Sequence, residues 1–447
     1  MRDRLLWLGC ALYAALFTWL GYVKYAAHRN LVDFGIFSQT VTSAFGCFCN
    51  PLEGSHWAYH FSPILYLAAV VVWVAHSPIT LVALQAVACA LCAPPVYALV
   101  RVRSAVSIAR LAALTVLLYP PLAGLTFGDF HENGFAPAAV AWALYAFDAG
   151  RLWLAAASVV LALAVKEDQA FFLAFAGVVG AVAYRDDARR ARFAIGVTVA
   201  SIAVALSFFF LIQPHANANP EWAPVRFYDW SAADWRALLP AGILQRAGFL
   251  LLILAPLAFL PLRTRAIVLA LPPLIEVMSS RMGTTFTLGT HYSGAWIGYL
   301  LIAFSAGVCD LALRGRASAA LYVALALCAV ELLVANPLHP GTNLRGVQAR
   351  DAALDTALRS LPAGVSVATQ EEAYTHLAFG NPFATLLPET AATETFACFI
   401  LVDGDYPDSP RLQEYGDEVT RLVRQGRYAP VARAGAIELY RRVSACR

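Results

Sequence analysis

Five short stretches of this sequence set ionisable side chains among long apolar neighbours. In H-R-N-L-V-D-F-G-I-F-S-Q, Asp33 stands alone in an apolar run. An acid there is costly unless it is paired or used, so it reads as a catalytic base or metal ligand, or else as a helix cap before F-G-I-F. In G-S-H-W-A-Y-H-F-S-P, His56 and His60 lie four residues apart. On a helix both imidazoles would share a face suited to a metal, although Pro63 limits that helix and Trp57 and Tyr59 equally suit a membrane interface. In L-T-F-G-D-F-H-E-N-G-F, Asp129, His131 and Glu132 crowd three titratable groups into four positions. They offer a carboxylate for proton transfer, or ligands for a divalent cation that neutralises a phosphate leaving group; a solvated, capped turn is the plainer reading. In A-L-A-V-K-E-D-Q-A-F-F, Lys166 is suited to pair with a substrate phosphate while Glu167 or Asp168 balances it, unless the three charges only form a tight turn. In S-S-R-M-G-T-T-F-T-L-G-T-H-Y-S-G, Arg281 and His291 bracket a polar loop; the arginine either grips a phosphate with two N–H groups or merely snorkels. Candidate metal ligands are Asp33, His56, His60 and Asp129, and a divalent cation is the candidate cofactor.

The elements that must position these groups are membrane helices. Of 447 residues, 60% are hydrophobic and 14% charged, against about 25% charged in ordinary soluble domains. Apolar runs recur over 5–22, 80–100, 109–127, 134–150, 152–165, 169–184, 191–212, 246–262, 266–279, 292–310 and 317–335, which predicts about eleven crossing helices. Their length excludes an outer-membrane barrel, whose strands are short and alternating. Arg2 and Arg4 precede Leu5–Leu20 without a clear cleavage site, so the first run is expected to stay as a helix. Segment 61–75 is apolar too. If it lies along the outer face, Arg101, Arg103, Arg110, Arg151, Arg185, Arg189, Arg190, Arg192, Arg263, Arg265, Arg314 and Arg316 all fall inside, as the positive-inside bias requires. The same topology puts every candidate named above, and Glu221, on the outer side. The loop 214–245, with Trp222, Trp230 and Trp235, either covers a site or rests on the bilayer. A net charge of +3 gives no reason to expect nucleic acid as a partner. Cys89, Cys92, Cys309 and Cys328 lie inside apolar runs as small buried hydrophobes, and Cys47 and Cys49 are too close for a metal knuckle.

Past N-P-L-H-P-G the hydropathy falls, giving an expected division into a transmembrane domain 1–335 and an extracytoplasmic domain 336–447. Helical spacing over 345–360 and 410–426 alternates with strand-like V-S-V-A-T (365–369), F-A-C-F-I-L-V-D (396–403) and A-I-E-L-Y-R-R (436–442). That alternation predicts a small soluble α/β domain.

The stretches D-F-G-I-F-S-Q, H-F-S-P-I-L-Y-L, G-D-F-H-E-N-G-F and V-K-E-D-Q, with A-G-V-S-V-A-T-Q and Y-T-H-L-A near the end, resemble the domain-of-unknown-function 2079 family of predicted bacterial and archaeal membrane proteins. More distantly, the layout is similar to the C-type membrane glycosyltransferases, which use polyprenyl-phosphate sugar donors. That resemblance implies an essential acid on the first outer loop (Asp33), outer juxtamembrane helices (segment 61–75), a second acidic motif (Asp129) and a lysine at a broken helix pair (Lys166). D-F-G replaces the acidic pair of the protein mannosyltransferases. Asp33 and Asp129 are the expected catalytic residues, and His60, His131, Glu132, Lys166, Glu167, Arg281 and His291 are expected to hold substrate. The expected activity is inverting transfer of a sugar from a polyprenyl-phosphate carrier to an envelope acceptor, at the outer face of the cytoplasmic membrane among its lipids. The N-terminus would then be cytoplasmic. A secondary transporter is the alternative, since interrupted helices and intramembrane charge also mark transport, but the charges cluster at one face and no inverted repeat is evident. A non-enzymatic envelope assembly protein leaves the outer carboxylate–histidine clusters unexplained.

Overall fold

A computed structural model describes residues 3–216, 225–228, 230–231, 234, 242–388, 397–406, 409 and 411–446. Glu221, Trp222 and Trp235 lie outside the described residues. The chain divides into two compact units: Met1–Trp19 with Trp57–Leu65 and Val82–His339, and Leu20–His56 with Tyr66–Leu81 and Pro340–Arg447. The second unit thus joins the C-terminal segment to two stretches from the first hundred residues, which sequence had assigned to the transmembrane part.

The first unit is helical. Five helices among the described residues are long and apolar enough to cross a membrane: Arg4–Ala26, Ile79–Arg103, Ala188–Ala216, His291–Leu313 and Ala317–Val334. A sixth span results if Val106–Leu117 and Pro120–Phe127, bent by 46° at Leu118–Tyr119, count as one. The expected number of about eleven is therefore not reached on length and hydropathy. Ile64–Ala75, Leu152–Leu163, Asp168–Ala183 and Ile243–Leu257 are apolar but shorter. Prolines in the first turn start Ala93–Arg103, Pro120–Phe127, Ala136–Asp148 and Leu271–Ser279, where the missing N–H has no intrahelical acceptor to lose. Helix Gly294–Leu313 is buried along most of its length and packs against Ala136–Asp148 and Ala93–Arg103. At one end of this unit Arg110 pairs with Asp3 (2.8 Å), Arg103 with Asp148 (3.0 Å) and Arg263 with Asp310 (2.8 Å), while Tyr184 donates to Asp148 (2.6 Å). Arginines from separate predicted inner loops thus meet acids from other inner loops.

In the second unit a five-stranded sheet runs in the order Ala384–Leu386, Val367–Thr369, Phe399–Asp403, Ile437–Arg442, Tyr428–Ala434. The first three strands are parallel and the last two antiparallel. Three strands and the helices Ala349–Ser360 and Leu412–Arg424 fall where periodicity predicted them; Ala384–Leu386 and Tyr428–Ala434 were not foreseen. Leu412–Arg424 turns Tyr415, Val419 and Leu422 onto one face of the sheet, where they join Ile400 and Val402, and Leu354 and Leu358 cover Val367 and Leu401 on the other. Helix Val32–Thr42 belongs to this unit and packs on Glu371–Leu377. Gly35 permits it, because a Cβ there would stand 2.2 Å from the Tyr374 ring. The Tyr374 hydroxyl donates to Gln39 (2.7 Å), whose amide donates to the carbonyls of Asn381 and Ala384. Disulfides join Cys47 to Cys49 and Cys398 to Cys446, both within this unit. Cys10, Cys89, Cys92, Cys309 and Cys328 are buried thiols.

Candidate functional site

The helices Leu152–Leu163 and Asp168–Ala183, of 12 and 16 residues, rise only about 18 and 24 Å, short of a hydrocarbon core about 30 Å thick. The turn between them carries Lys166, Glu167 and Asp168, with Lys166 and Glu167 both buried. Burial works against the Lys166 ammonium, but the carboxylates of Asp168, Glu167 and Glu132, with Tyr292, hold its pKa well above the ordinary lysine value. Lys166 is therefore held as a buried cation.

Glu167 has a more local task. One carboxylate oxygen lies 3.0 Å from His60 Nδ1 and the other accepts the Phe61 N–H at 2.9 Å. Burial alone would raise the Glu167 pKa, but the His60 and Lys166 charges and the Phe61 N–H bring it below the usual glutamate value. Burial and Lys166 oppose protonation of His60, yet Glu167 keeps its pKa above the usual value. The pair thus fixes segment 57–65 against the Lys166 turn. The signs give a pH window. The His60 contribution is complete below its unfolded value of about 6.5 and is lost as pH rises through the raised folded value; the Glu167 contribution is present above about 4.5 and is lost on acidification. The thermal midpoint of detergent-solubilised protein is therefore expected to fall as pH climbs above 7. Glu167→Gln should flatten that dependence and cost about 3 kcal/mol near pH 6, where an unpaired buried partner is left behind. An unchanged pH profile in the variant would mean that the pair carries no stability.

In G-D-F-H-E-N-G-F, helix Pro120–Phe127 ends just before Gly128, and a 3-10 turn Glu132–Phe135 leads into the proline-started helix Ala136–Asp148. Gln85 pins this crossing by accepting the His131 N–H (3.0 Å) and donating to the Leu125 carbonyl (3.0 Å). His131 stacks on His291 with ring centroids 3.8 Å apart, and its Nδ1 lies 2.9 Å from Glu132 Oε2. The Glu132 carboxylate is fully buried and, apart from that His131 contact on Oε2, its oxygens accept no hydrogen bond among the described residues. Asp168 Oδ1 is in the same condition. Such oxygens fit a hard divalent cation. Asp129 is half-buried beside this turn.

Other candidates are placed differently. Asp33 lies in the second unit, in the first turn of Val32–Thr42, where its charge favours the helix N-terminus; the N-cap residue itself is Leu31. His56 is wholly buried, edge-on to Phe48 and Phe37, as a core aromatic of the second unit. The two histidines do not share a helix face: His56–Ala58 is a single 3-10 turn, and His60 belongs to the first unit. Arg281 pairs with Asp234 (3.1 Å), and Trp230 donates to the Ser279 carbonyl (2.7 Å). Sequence reasoning missed Glu276, whose carboxyl senses Asp168, Lys166 and Glu167. A lone acid in L-P-P-L-I-E-V-M was the available signal. It also missed Arg246, which donates to the carbonyls of Met278, Ser280 and Gly242 and lies over the Phe286 ring.

Residues 28–439 match the family model described as predicted membrane protein (DUF2079). The chain belongs to this family. As a DUF2079 member it is a multi-pass membrane protein with several apolar helices. Comparison with curated proteins found no match. Among solved structures, the chain is similar to ArnT from Cupriavidus metallidurans bound to undecaprenyl phosphate, with TM-score 0.57, 14% identity and 98% of each chain covered. The apo state of the same protein gives TM-score 0.56 at 14% identity, covering 96% of this chain and 97% of that one. An Archaeoglobus fulgidus oligosaccharyltransferase with zinc and sulfate matches at TM-score 0.41 and 12% identity, over 83% and 63% of the two chains, too low to carry an argument. The DUF2079 chain therefore has an ArnT-like, C-type fold with a small C-terminal sheet domain.

Proposed function

We propose that this DUF2079 protein is an inverting glycosyltransferase that moves a sugar from a polyprenyl-phosphate carrier to an envelope acceptor at the outer face of the cytoplasmic membrane. The observation that carries this reading is the buried, charged Lys166 at the junction of two short helices, in a fold similar to one whose solved relative holds undecaprenyl phosphate. An acceptor hydroxyl attacks the anomeric carbon as the bond to the carrier phosphate breaks. Lys166 stabilises charge on the departing phosphate, and Asp33 takes the hydroxyl proton. Arg281, already held by Asp234, and the stacked His131 and His291 supply further positive or donor groups for the substrate. Three carboxylates around one lysine leave the cluster anionic, and a divalent cation would offset this when bound by neutralising phosphate charge. Glu132 and Asp168 are the residues that would hold it; Asp129 precedes Glu132 by three residues in the sequence.

The outer placement is supported by two features. Two disulfides in the second unit suit an oxidising compartment, and the arginine–aspartate pairs at one end of the first unit suit a common cytoplasmic face. The test is transfer from a panel of radiolabelled polyprenyl-phosphate sugars in proteoliposomes. Wild type should turn over at least one donor, and Asp33→Ala should lose more than about 100-fold while inserting normally. Retained transfer in the variant would remove Asp33 from the chemistry. No turnover by folded wild type with any donor, cation or acceptor would shift the reading to transport.

A further inference from the structure

The two disulfides of the second unit close loops of very different size. Cys446 stands 48 positions after Cys398, but Cys49 stands only two after Cys47. A cross-link stabilises a fold mainly by shortening loops that the unfolded chain would otherwise explore, and the gain grows with the loop. Cys398–Cys446 fits that purpose, since it ties the start of the central strand Phe399–Asp403 to the chain beyond Ile437–Arg442. A ring with one residue between its cysteines removes far less freedom. Stability accounts well for the first bond and poorly for the second.

Phe48 is where the short ring is accommodated. Residues two apart in a strand stand about 6.7 Å apart, whereas the Cα atoms of Cys47 and Cys49 are 5.2 Å apart. Phe48 takes φ +49°, a left-handed conformation that a bulky side chain seldom enters. Its ring is nonetheless buried, stacked on Tyr66 with centroids 4.8 Å apart and edge-on to His56 at 5.0 Å. Hydrogen bonds hold the backbone there. The Phe48 N–H donates to the Ser43 carbonyl (3.0 Å), the Phe48 carbonyl accepts the His56 N–H (2.9 Å), and Ser43 Oγ accepts the Cys49 N–H (2.9 Å). Cys49 also pairs with Ser55 in a short antiparallel ladder. Cys49 is thus anchored and half-buried, while Cys47 is exposed. Thiol–disulfide exchange uses such an asymmetry, with a thiolate attacking the sulfur it can reach and the other sulfur leaving; exposed or strained disulfides are the labile ones.

We propose that Cys47–Cys49 is a reversible thiol–disulfide exchange site, opened by a dithiol and closed again by a disulfide oxidant, and that opening it releases the 43–56 loop. A thiolate of the dithiol attacks Cys47 Sγ, the Cys47–Cys49 bond breaks, and Cys49 leaves as a thiolate that takes up a proton. The second thiol of the dithiol then attacks its own sulfur in the mixed disulfide, freeing Cys47. Two electrons and two protons pass to the cysteine pair, and the dithiol ends as a disulfide. Freed from the ring, Phe48 can return to negative φ and its ring can part from Tyr66 and His56. This chemistry does not depend on sugar transfer.

Full-length protein in detergent, equilibrated in glutathione redox buffers, acid-quenched, alkylated and mapped by peptide mass spectrometry, supplies the test. Cys47–Cys49 should be half-reduced at a [GSH]²/[GSSG] ratio at least about 100-fold lower than Cys398–Cys446, and should close again on return to oxidised glutathione. At a ratio that opens only Cys47–Cys49, amide hydrogen exchange over 43–56 should quicken by about tenfold or more. Cys47→Ser/Cys49→Ser, which cannot form the bond, should show the same fast exchange without reductant. Equal resistance of the two disulfides, earlier reduction of Cys398–Cys446, failure to close again, or unchanged exchange over 43–56 would each overturn the proposal.

Discussion

Lys166→Met should reduce turnover of a lipid-linked sugar by about 100- to 1,000-fold, the usual cost of removing one preorganised group from developing negative charge. The substitution keeps the length and apolar stem of the side chain but deletes the cation whose charge Asp168, Glu167 and Glu132 favour. Those carboxylates would then repel one another in a buried setting, so the single variant is expected to lose stability as well. A second change separates the two effects. Lys166→Met/Asp168→Asn removes one of the repelling charges and should recover much of the thermal midpoint without recovering turnover. Turnover measured alongside a melting curve for both variants decides the matter: activity within tenfold of wild type in Lys166→Met would exclude Lys166 as the group that holds the phosphate.

Gly294→Ala should be among the most damaging small substitutions in the helical unit. Glycine to alanine within a helix ordinarily gains up to about 1 kcal/mol. Here the sign reverses. A Cβ on Gly294 would lie 2.2 Å from the Asn133 carbonyl oxygen and 2.8 Å from its carbon, and these are backbone atoms that cannot rotate aside. Helix Gly294–Leu313 would have to withdraw from the turn that carries His131 and Glu132, parting the stacked His131 and His291 rings. Overpacking of this kind costs about 1–3 kcal/mol net, and here turnover should fall as well. Melting and transfer assays of Gly294→Ala beside Gly196→Ala, whose Cβ would meet nothing within 4 Å, provide the comparison. Equal behaviour of the two would show that the close approach is not needed.

Much of this architecture was legible in the sequence because a membrane helix has to be written as a long apolar run. The charged turn at Lys166 could be read for the same reason: three ionisable residues between two short apolar segments have few structural purposes. The paired histidines misled because four-residue spacing implies a shared face only on a helix, and only a single 3-10 turn forms at His56–Ala58. Not every predicted run became one long helix: 266–279 folds as a 3-10 stretch, Arg265–Ala270, followed by a nine-residue helix. Glu276 was hidden by its solitude. The disulfide between Cys398 and Cys446 was hidden by separation, since 48 positions divide its ends and each looks ordinary alone, while Cys47 and Cys49, dismissed as a metal knuckle, are bonded to each other.

Helices Leu152–Leu163 and Asp168–Ala183 fall about 12 and 6 Å short of a normal hydrocarbon thickness. A bilayer meeting that flank has to come down to the protein, because a gap of bare hydrocarbon over Lys166 would strand a buried cation. Such a dimple brings headgroups, and the water among them, to the level of the lysine. A long-chain lipid phosphate could then slide in sideways while its tail stayed in the membrane, and the energetic toll of lifting a polyprenyl chain into water would never arise.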